Sequence, residues 1–344
     1  MDDKKLTPLS EIGEFGLIED LKKEIHLHHK TTIKGIGDDA SVIDLGNENV
    51  LLLSSDLLAE GVHFDLSYTP LKHLGYKSVV VNVSDIAAMN ALPREITVSI
   101  AVSSRFTLEA IRELYEGIRL ACEYYKLDLV GGDTTSSKSG LIISISITGY
   151  AKKNEIVYRS GAKENNLVCV TGNLGAAYMG LQILEREKSV FVSQPGMQPE
   201  LSGYEYILKR QLKPEARTDM INEFRNLAII PTSMIDISDG LASEVLHLAK
   251  ESNTGIDIYE EKLPVDSMTS AVAQELNIPL TTCALNGGED YELLFTVDLS
   301  AFEMLKNHPE ISIIGKVNHF SSGNNLHLRS GQVVPLKAQG WKHF

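Results

Sequence analysis

The sequence predicts an α+β protein of two domains, and three observations carry that reading. At 344 residues the chain is long enough for two sizeable cores. Strand-like and helix-like segments are mixed without the strict alternation of a doubly wound parallel sheet. A charged, polar stretch from Ala151 to Asn166 divides them, so the expected domains are residues 1–152 and 153–344.

Taken in order, residues 11–30 predict an amphipathic helix with Ile12, Phe15, Leu17, Ile18, Leu21 and Ile25 on its apolar side and a polar tail holding His26, His28 and His29. Val50 to Ser54 reads as a buried strand ending in Ser54-Ser55-Asp56, and Glu60 to Phe64 as a loop. Residues 71–91 contain a valine run and an alanine run. Their length, with no Gly or Pro break after Gly75, favours a helix that Pro93 stops. Ile96 to Val102 alternates as a strand, and Thr107 caps a long amphipathic helix through Tyr125. A short strand from Leu127 to Val130 runs into Gly131-Gly132-Asp133-Thr134-Thr135, and Leu141 to Tyr150 alternates cleanly.

In the second half, Leu167 to Thr171 is a strand feeding a glycine turn and a helix to about Glu187, with residues 188–203 a surface loop. Helical stretches follow to about Ala228. Ser233 to Ile237 is a strand that turns at Ser238-Asp239-Gly240 into the helix Leu241 to Lys250, and Asn286 to Asp290 precedes a strand from Tyr291 to Val297.

Composition narrows the function. There are 46 acidic against 32 basic residues, a net charge of −14, which argues against nucleic acid or an anionic membrane as partner because both require a cationic footprint. Cys122, Cys169 and Cys283 lie far apart in apolar surroundings and read as small buried hydrophobes rather than a disulfide or zinc site. Met1 to Lys5 lacks a hydrophobic signal core, and no apolar run approaches the ~20 residues needed to span a bilayer, so a cytoplasmic location is expected.

The chemistry is expected in a recurring pattern of acids beside small residues, at Gly35-Ile36-Gly37-Asp38-Asp39-Ala40, Ser54-Ser55-Asp56, Ser84-Asp85, Gly131-Gly132-Asp133, Asp236-Ile237-Ser238-Asp239-Gly240 and Gly287-Gly288-Glu289-Asp290. Each alone is explained by a helix cap or an Asx-turn, and together they predict turns converging on metal. Carboxylates without His or Cys companions suit a hard cation, Mg²⁺ above all, and several Mg²⁺ ions suit a polyphosphate substrate. No P-loop or protein-kinase motif is present. Gly35 to Ala40 fits the loose dinucleotide pattern, but a strand rather than a helix follows it and two aspartates would face the phosphates, which excludes that reading.

In order, these motifs, with Glu60-Gly61-Val62-His63-Phe64, Val81 to Met89 and Gly287 to Leu293, resemble the thiamine-monophosphate kinase family over essentially the whole chain. The resemblance implies the two-domain fold of aminoimidazole ribonucleotide synthetase, with an N-terminal α/β domain that binds ATP and dimerises through its sheet, and a C-terminal α+β domain. It implies a homodimer that transfers phosphate from ATP to thiamine monophosphate with several Mg²⁺ ions. Position by position, it implies metal ligands at Asp38, Asp39, Ser54, Ser55, Asp56, Asp85, Asp133, Asp236 and Asp239. Nucleotide contacts fall on Gly132, Asp133, Arg159 and Ser238, and substrate contacts on His63, Glu289 and Trp341. Departures are Ser55 in place of Thr, Asn90 in place of Gly, and the lack of a Pro-Gly-Asp after the Arg159 segment. The alternatives are a related synthetase acting on a ribonucleotide, or a non-catalytic nucleotide- or thiamine-binding protein. Because the acceptor is an ionised phosphate, no general base is expected, and transfer is expected to be direct and in line.

Overall fold

The computed structural model describes residues 6–194 and 196–340. Helix α1 (Leu9–Lys22) opens them, kinks at Gly13, where φ is 65°, and buries none of its residues. It is shorter than the periodicity suggests: His26, His28 and His29 lie beyond its end and are exposed.

Six strands form the first sheet: β1 (Thr32–Lys34), β2 (Ser41–Asp44), β3 (Asn49–Ala59), β4 (Leu92–Val102), β5 (Asp128–Ser136) and β6 (Leu141–Lys152), in the order β1-β2-β3-β6-β4-β5. Helices α2 (Leu71–Ala88) and α3 (Leu108–Tyr125) cover one face. The two helices meet backbone to backbone. A Cβ on Gly75 would lie 2.0 Å from the Leu114 carbonyl oxygen, and one on Gly117 1.9 Å from that of Lys72. Thr107 caps α3 as expected, its hydroxyl accepting from the Ala110 N–H. The other face is open: Leu53 and Leu57 point outward from β3 and are 43% and 55% exposed. Every residue of β5 is exposed, and β5 is one of the two edge strands, with β1 at the other edge.

Two strands are longer than the sequence suggests. β3 pairs with β6 from Asn49↔Lys152 to Ala59↔Ile142, and β5 pairs with β4 through Val102↔Ser136. Ser54-Ser55-Asp56 and Gly131 to Thr135 therefore lie inside strands, and Asp85 lies inside α2, so these acids are not at turns. Ladder pairing with long neighbours overrides the local turn preference of Ser, Gly and Asp.

The second sheet has seven strands: β7 (Leu167–Thr171), β8 (Ser233–Asp236), β9 (Gly255–Tyr259), β10 (Leu293–Val297), β11 (Ile311–Asn318), β12 (Asn325–His327) and β13 (Val333–Pro335), in the order β13-β12-β9-β11-β7-β10-β8. Around it run α4 (Ala176–Ser193), α5 (Glu205–Leu212), α6 (Asp219–Asn226), α7 (Leu241–Ser252), α8 (Ser267–Glu275), α9 (Leu280–Asn286) and α10 (Phe302–Leu305). Helix α4 continues past residue 188, where a loop is expected, because no Gly or Pro interrupts it before Pro195. β7 is buried on both faces: Val168 and Val170 pack with Leu241 and Val245, while Leu167 and Cys169 pack with Phe224 and Phe295. All three cysteines are free and buried.

Candidate active site

Five side chains from four places meet where α2 passes between the two sheets. Strand alternation turns Ser54 and Asp56 towards the helix side of β3, the side on which Val50, Leu52 and Leu58 are buried. Asp85 comes from the last turns of α2, Asp236 from the end of β8, and Asp39 from the loop before β2. Carboxylate oxygens of Asp39, Asp85 and Asp236 lie within 4.8 Å of one another. Ser54 Oγ donates to Asp85 Oδ2 at 2.5 Å, and Ser84 Oγ donates to Asp236 Oδ2 at 2.6 Å. Asn82 ties α2 to β3, its Oδ1 accepting from the Asp56 N–H at 3.1 Å.

Water would normally stabilise these charges, and here it is largely excluded. Burial pushes Asp56 up to about 6, with the Asp39 charge adding to it. Asp236 is pushed up to about 7, again first by burial and then by Asp39. Asp85 is raised well above the usual carboxylate range by burial and by its neighbours Asp56, Asp236 and Asp39. Among the described residues, Arg159 supplies a compensating cation, its Nη2 and Nε reaching Asp39 Oδ1 at 2.7 and 3.2 Å. Asp39 Oδ2 is buried without a hydrogen-bond partner. A compact set of oxygen donors that repel one another, with an orphaned buried oxygen among them, fits a hard divalent cation.

Asp38 is turned away. It accepts from the Arg159 backbone N–H at 3.0 Å and pairs with Lys34 Nζ at 3.2 Å, so Asp39 is the member of the pair that reaches Asp85 and Asp236. Ser55 points to the open face of the sheet, where its Oγ donates to the Ile145 carbonyl at 3.2 Å and lies 3.1 Å from Ser146 Oγ. Asp133 is not near the cluster within one chain. It is level with Ser99, Ser144 and Leu57 across the sheet, three strand spacings or about 14 Å from β3. Its partners in that row place it on the open face with Ser55. Gly132 lies against β4 so closely that a Cβ would sit 1.8 Å from the Val98 carbonyl oxygen.

The turn after β8 is held from both sides. The Asp239 N–H donates to Glu244 Oε1 at 2.9 Å, and the Ser238 carbonyl accepts from the Glu289 N–H at 2.7 Å. Glu289 pairs with Lys77 at 2.7 Å. His63 Nδ1 accepts from the Ala59 N–H at 3.0 Å in the loop after β3. Trp341 lies outside the described residues. The last described residues lie against the turn after β8: Gln339 N–H donates to Asn286 Oδ1 at 2.7 Å, and a Cβ on Gly340 would sit 2.6 Å from the Asp239 carbonyl.

Sequence reasoning missed Lys77, Gln211 and Glu244 as parts of this region, and carried Asn82, Ser84 and Tyr291 only as neighbours within its motifs. A usable signal was present on α2. Lys77, Val81 and Ser84 share one helix face at i, i+4 and i+7, and a lysine on so apolar a face needs a buried partner.

Residues 37–151 match the family model of the AIR synthase related protein, N-terminal domain. Together with the two sheets and the acid cluster between them, this makes the chain an AIR synthase-like, two-domain α+β protein. Its likeness to E. coli HypE, a hydrogenase maturation protein, is of fold alone, with a TM-score of 0.66 at 18% identity.

Within that class the chain belongs to the thiamine-monophosphate kinase family. It is 34% identical to the thiamine-monophosphate kinase of Bacillus subtilis (strain 168), covering 97% of this chain and 100% of that one. It is also 34% identical to that of Aquifex aeolicus (strain VF5), covering 98% and 99%. The structure of AaThiL complexed with AMPPCP and TMP superposes with a TM-score of 0.82 at 32% identity, over 99% of this chain and 100% of that one.

Proposed function

We infer that the protein phosphorylates thiamine monophosphate to thiamine diphosphate at the expense of ATP. An oxygen of the acceptor phosphate bonds to the γ-phosphorus, the bond from that phosphorus to the β–γ bridging oxygen breaks, and ADP leaves. The observation that carries the reading is the full-length likeness to a family member complexed with an ATP analogue and TMP, together with the buried acid cluster.

Several Mg²⁺ ions, when bound, would neutralise polyphosphate charge. Asp39, Ser54, Asp56, Asp85 and Asp236 would hold them, with Asp38, Ser55, Asp133 and Asp239 as the further candidate ligands. Arg159 would face the nucleotide phosphates with Gly132 and Ser238, and His63, Glu289 and Trp341 would contact the acceptor. No side chain is needed as a base, since the attacking phosphate oxygen is already ionised, so these residues work by alignment and by excluding water.

Asp133 and Ser55 bear on assembly. Both lie on the sheet face that carries exposed Leu53 and Leu57, so a second copy laid on that face would bring its Asp133 towards the first copy's β3. A homodimer with shared sites is the arrangement that uses all the expected ligands. The domain boundary is placed between residues 152 and 153, and the site of action in the cytoplasm. Among the described residues, no helix is long and apolar enough to cross a membrane.

The test is conversion of thiamine monophosphate to the diphosphate by wild type and Asp56→Asn, with labelled ATP. A loss of about 100-fold or more is expected in the variant, with no label retained on the protein. An unchanged rate would remove the acid-cluster mechanism, and covalent label would remove direct transfer.

A further inference from the structure

Helix α2 makes polar contact with the C-terminal half at two places along its length. Ser84 bonds Asp236, and seven residues earlier Lys77 reaches Glu289. Seven residues is almost two turns, so both contacts lie on one helix face about 10 Å apart along the axis. That span suits a small phosphorylated organic molecule with its phosphate at the acid cluster and its far end at Glu289.

Lys77 is 5% exposed, and an ammonium so deep requires partners. Its Nζ lies 2.7 Å from Glu289 Oε1 and donates to the Gln211 carbonyl at 3.1 Å. Gln211, from α5, closes the triangle, its Nε2 donating to Glu289 Oε2 at 2.7 Å. Each Glu289 oxygen thus takes one bond from the chain. An ionised carboxylate offers about four acceptor positions, so about two remain. The Glu289 side chain is 30% exposed while Lys77 is sealed behind it. The backbone adds to the constraint, with Glu289 and Tyr291 both left-handed at φ 57° and 52°. Buried Tyr291 lies between the two ends: besides burial, the charges of Glu289, Asp56, Asp236 and Asp85 all hold its phenol neutral.

We propose that Lys77 and Gln211 are positioning residues that fix the Glu289 carboxylate so that its remaining acceptor positions take N–H bonds from an amino-bearing heteroaromatic ring of the phosphoryl acceptor. The assignment rests on the kinase reading above and deepens it, because it makes a lysine of the N-terminal half a determinant of acceptor specificity. Lys77 never touches the acceptor; it acts through Glu289.

The experiment is steady-state kinetics on the full chain with Lys77→Met, Lys77→Arg, Glu289→Gln and the double variant Lys77→Met/Glu289→Gln. Lys77→Met preserves side-chain length and removes the charge. The KM for thiamine monophosphate is expected to rise about tenfold or more, with kcat and the KM for ATP within about twofold. Lys77→Arg is expected to recover most of the loss. The double variant is expected to be no worse than Glu289→Gln alone, because both changes remove one function. Wild type is expected to favour thiamine monophosphate over the analogue whose pyrimidine amino group is replaced by hydroxyl, and Lys77→Met to lose most of that preference. An unchanged acceptor KM in Lys77→Met, equal losses towards both substrates, or additive effects in the double variant would overturn the assignment alone. A wild-type chain that does not convert thiamine monophosphate overturns the kinase reading and the assignment with it.

Discussion

Replacing Asp85 by asparagine removes the charge that faces Asp39, Asp56 and Asp236 at once while keeping its shape. Asp56 and Asp236 have carboxyls pushed up to about 6 and about 7 from 3.8. At ~1.4 kcal/mol per unit, keeping each of them ionised costs the fold roughly 3–4 kcal/mol, and the two costs overlap because the charges are shared. A carboxylate whose folded pKa is raised binds more protons folded than unfolded between those two values. Its contribution to stability is therefore present below about pH 4 and lost as pH climbs through 6 to 7. Asp85→Asn takes one like charge from both neighbours. With divalent cations chelated, the variant is expected to match wild type at about pH 4 and below and to exceed it by about 2–3 kcal/mol at pH 8 in urea unfolding. Half-buried His247, pushed down to about 4, and buried Asp290, pushed up to about 7, add slopes of their own, but these are common to both proteins and cancel in the difference. Millimolar Mg²⁺ is then expected to reverse the order, stabilising wild type by about 2.7 kcal/mol at a hundredfold excess over Kd and the variant by far less. A difference between the proteins that does not change with pH, or a wild type indifferent to Mg²⁺, would refute the reasoning.

Two further outcomes test other parts of the structure. Gly75→Ala drives a methyl into the Leu114 carbonyl at the α2–α3 crossing, where a Cβ has 2.0 Å, and is expected to cost about 3 kcal/mol or more in thermal or urea unfolding. A loss under about 1 kcal/mol would mean that the helices are not in backbone contact. Mixing inactive Asp133→Asn with inactive Asp56→Asn protein is expected to restore about a quarter of wild-type activity, since half the random dimers carry one intact shared site. No recovery on mixing would place both aspartates in one chain's site.

Where periodicity was strong, the sequence was sufficient. Thr107 to Tyr125 and Leu141 to Tyr150 appear as a capped helix and an alternating strand because hydrophobic spacing and cap chemistry are local properties. The ends of β3 and β5 were not legible, because Ser-Ser-Asp and Gly-Gly-Asp carry turn chemistry and only pairing with β6 and β4 extends them. That difference decides the geometry of the site. Once Ser54 to Asp56 belong to a strand, Ser54 and Asp56 share a face and Ser55 takes the other. Asp39, Asp56, Asp85 and Asp236 could be picked out as acids beside small residues. Which donor meets which acid could not, since Ser84 reaches Asp236, Arg159 reaches Asp39 and Lys77 reaches Glu289 only through tertiary folding.

The uncovered edge of β5 gives Asp133 a bearing on solubility. An edge strand exposes unpaired backbone N–H and C=O groups that any extended chain can join. Leu129 and Val130 lie on it, 39% and 62% exposed, and would favour such adhesion. The residues that follow them, Gly131-Gly132-Asp133, are weakly strand-forming and carry a charge, the composition of a gatekeeper against intermolecular sheet growth. Substituting Asp133 by an apolar residue would remove both the carboxylate and that gatekeeper. Low yield or insolubility in such a variant would then arise from aggregation at the strand edge as much as from any damage to catalysis.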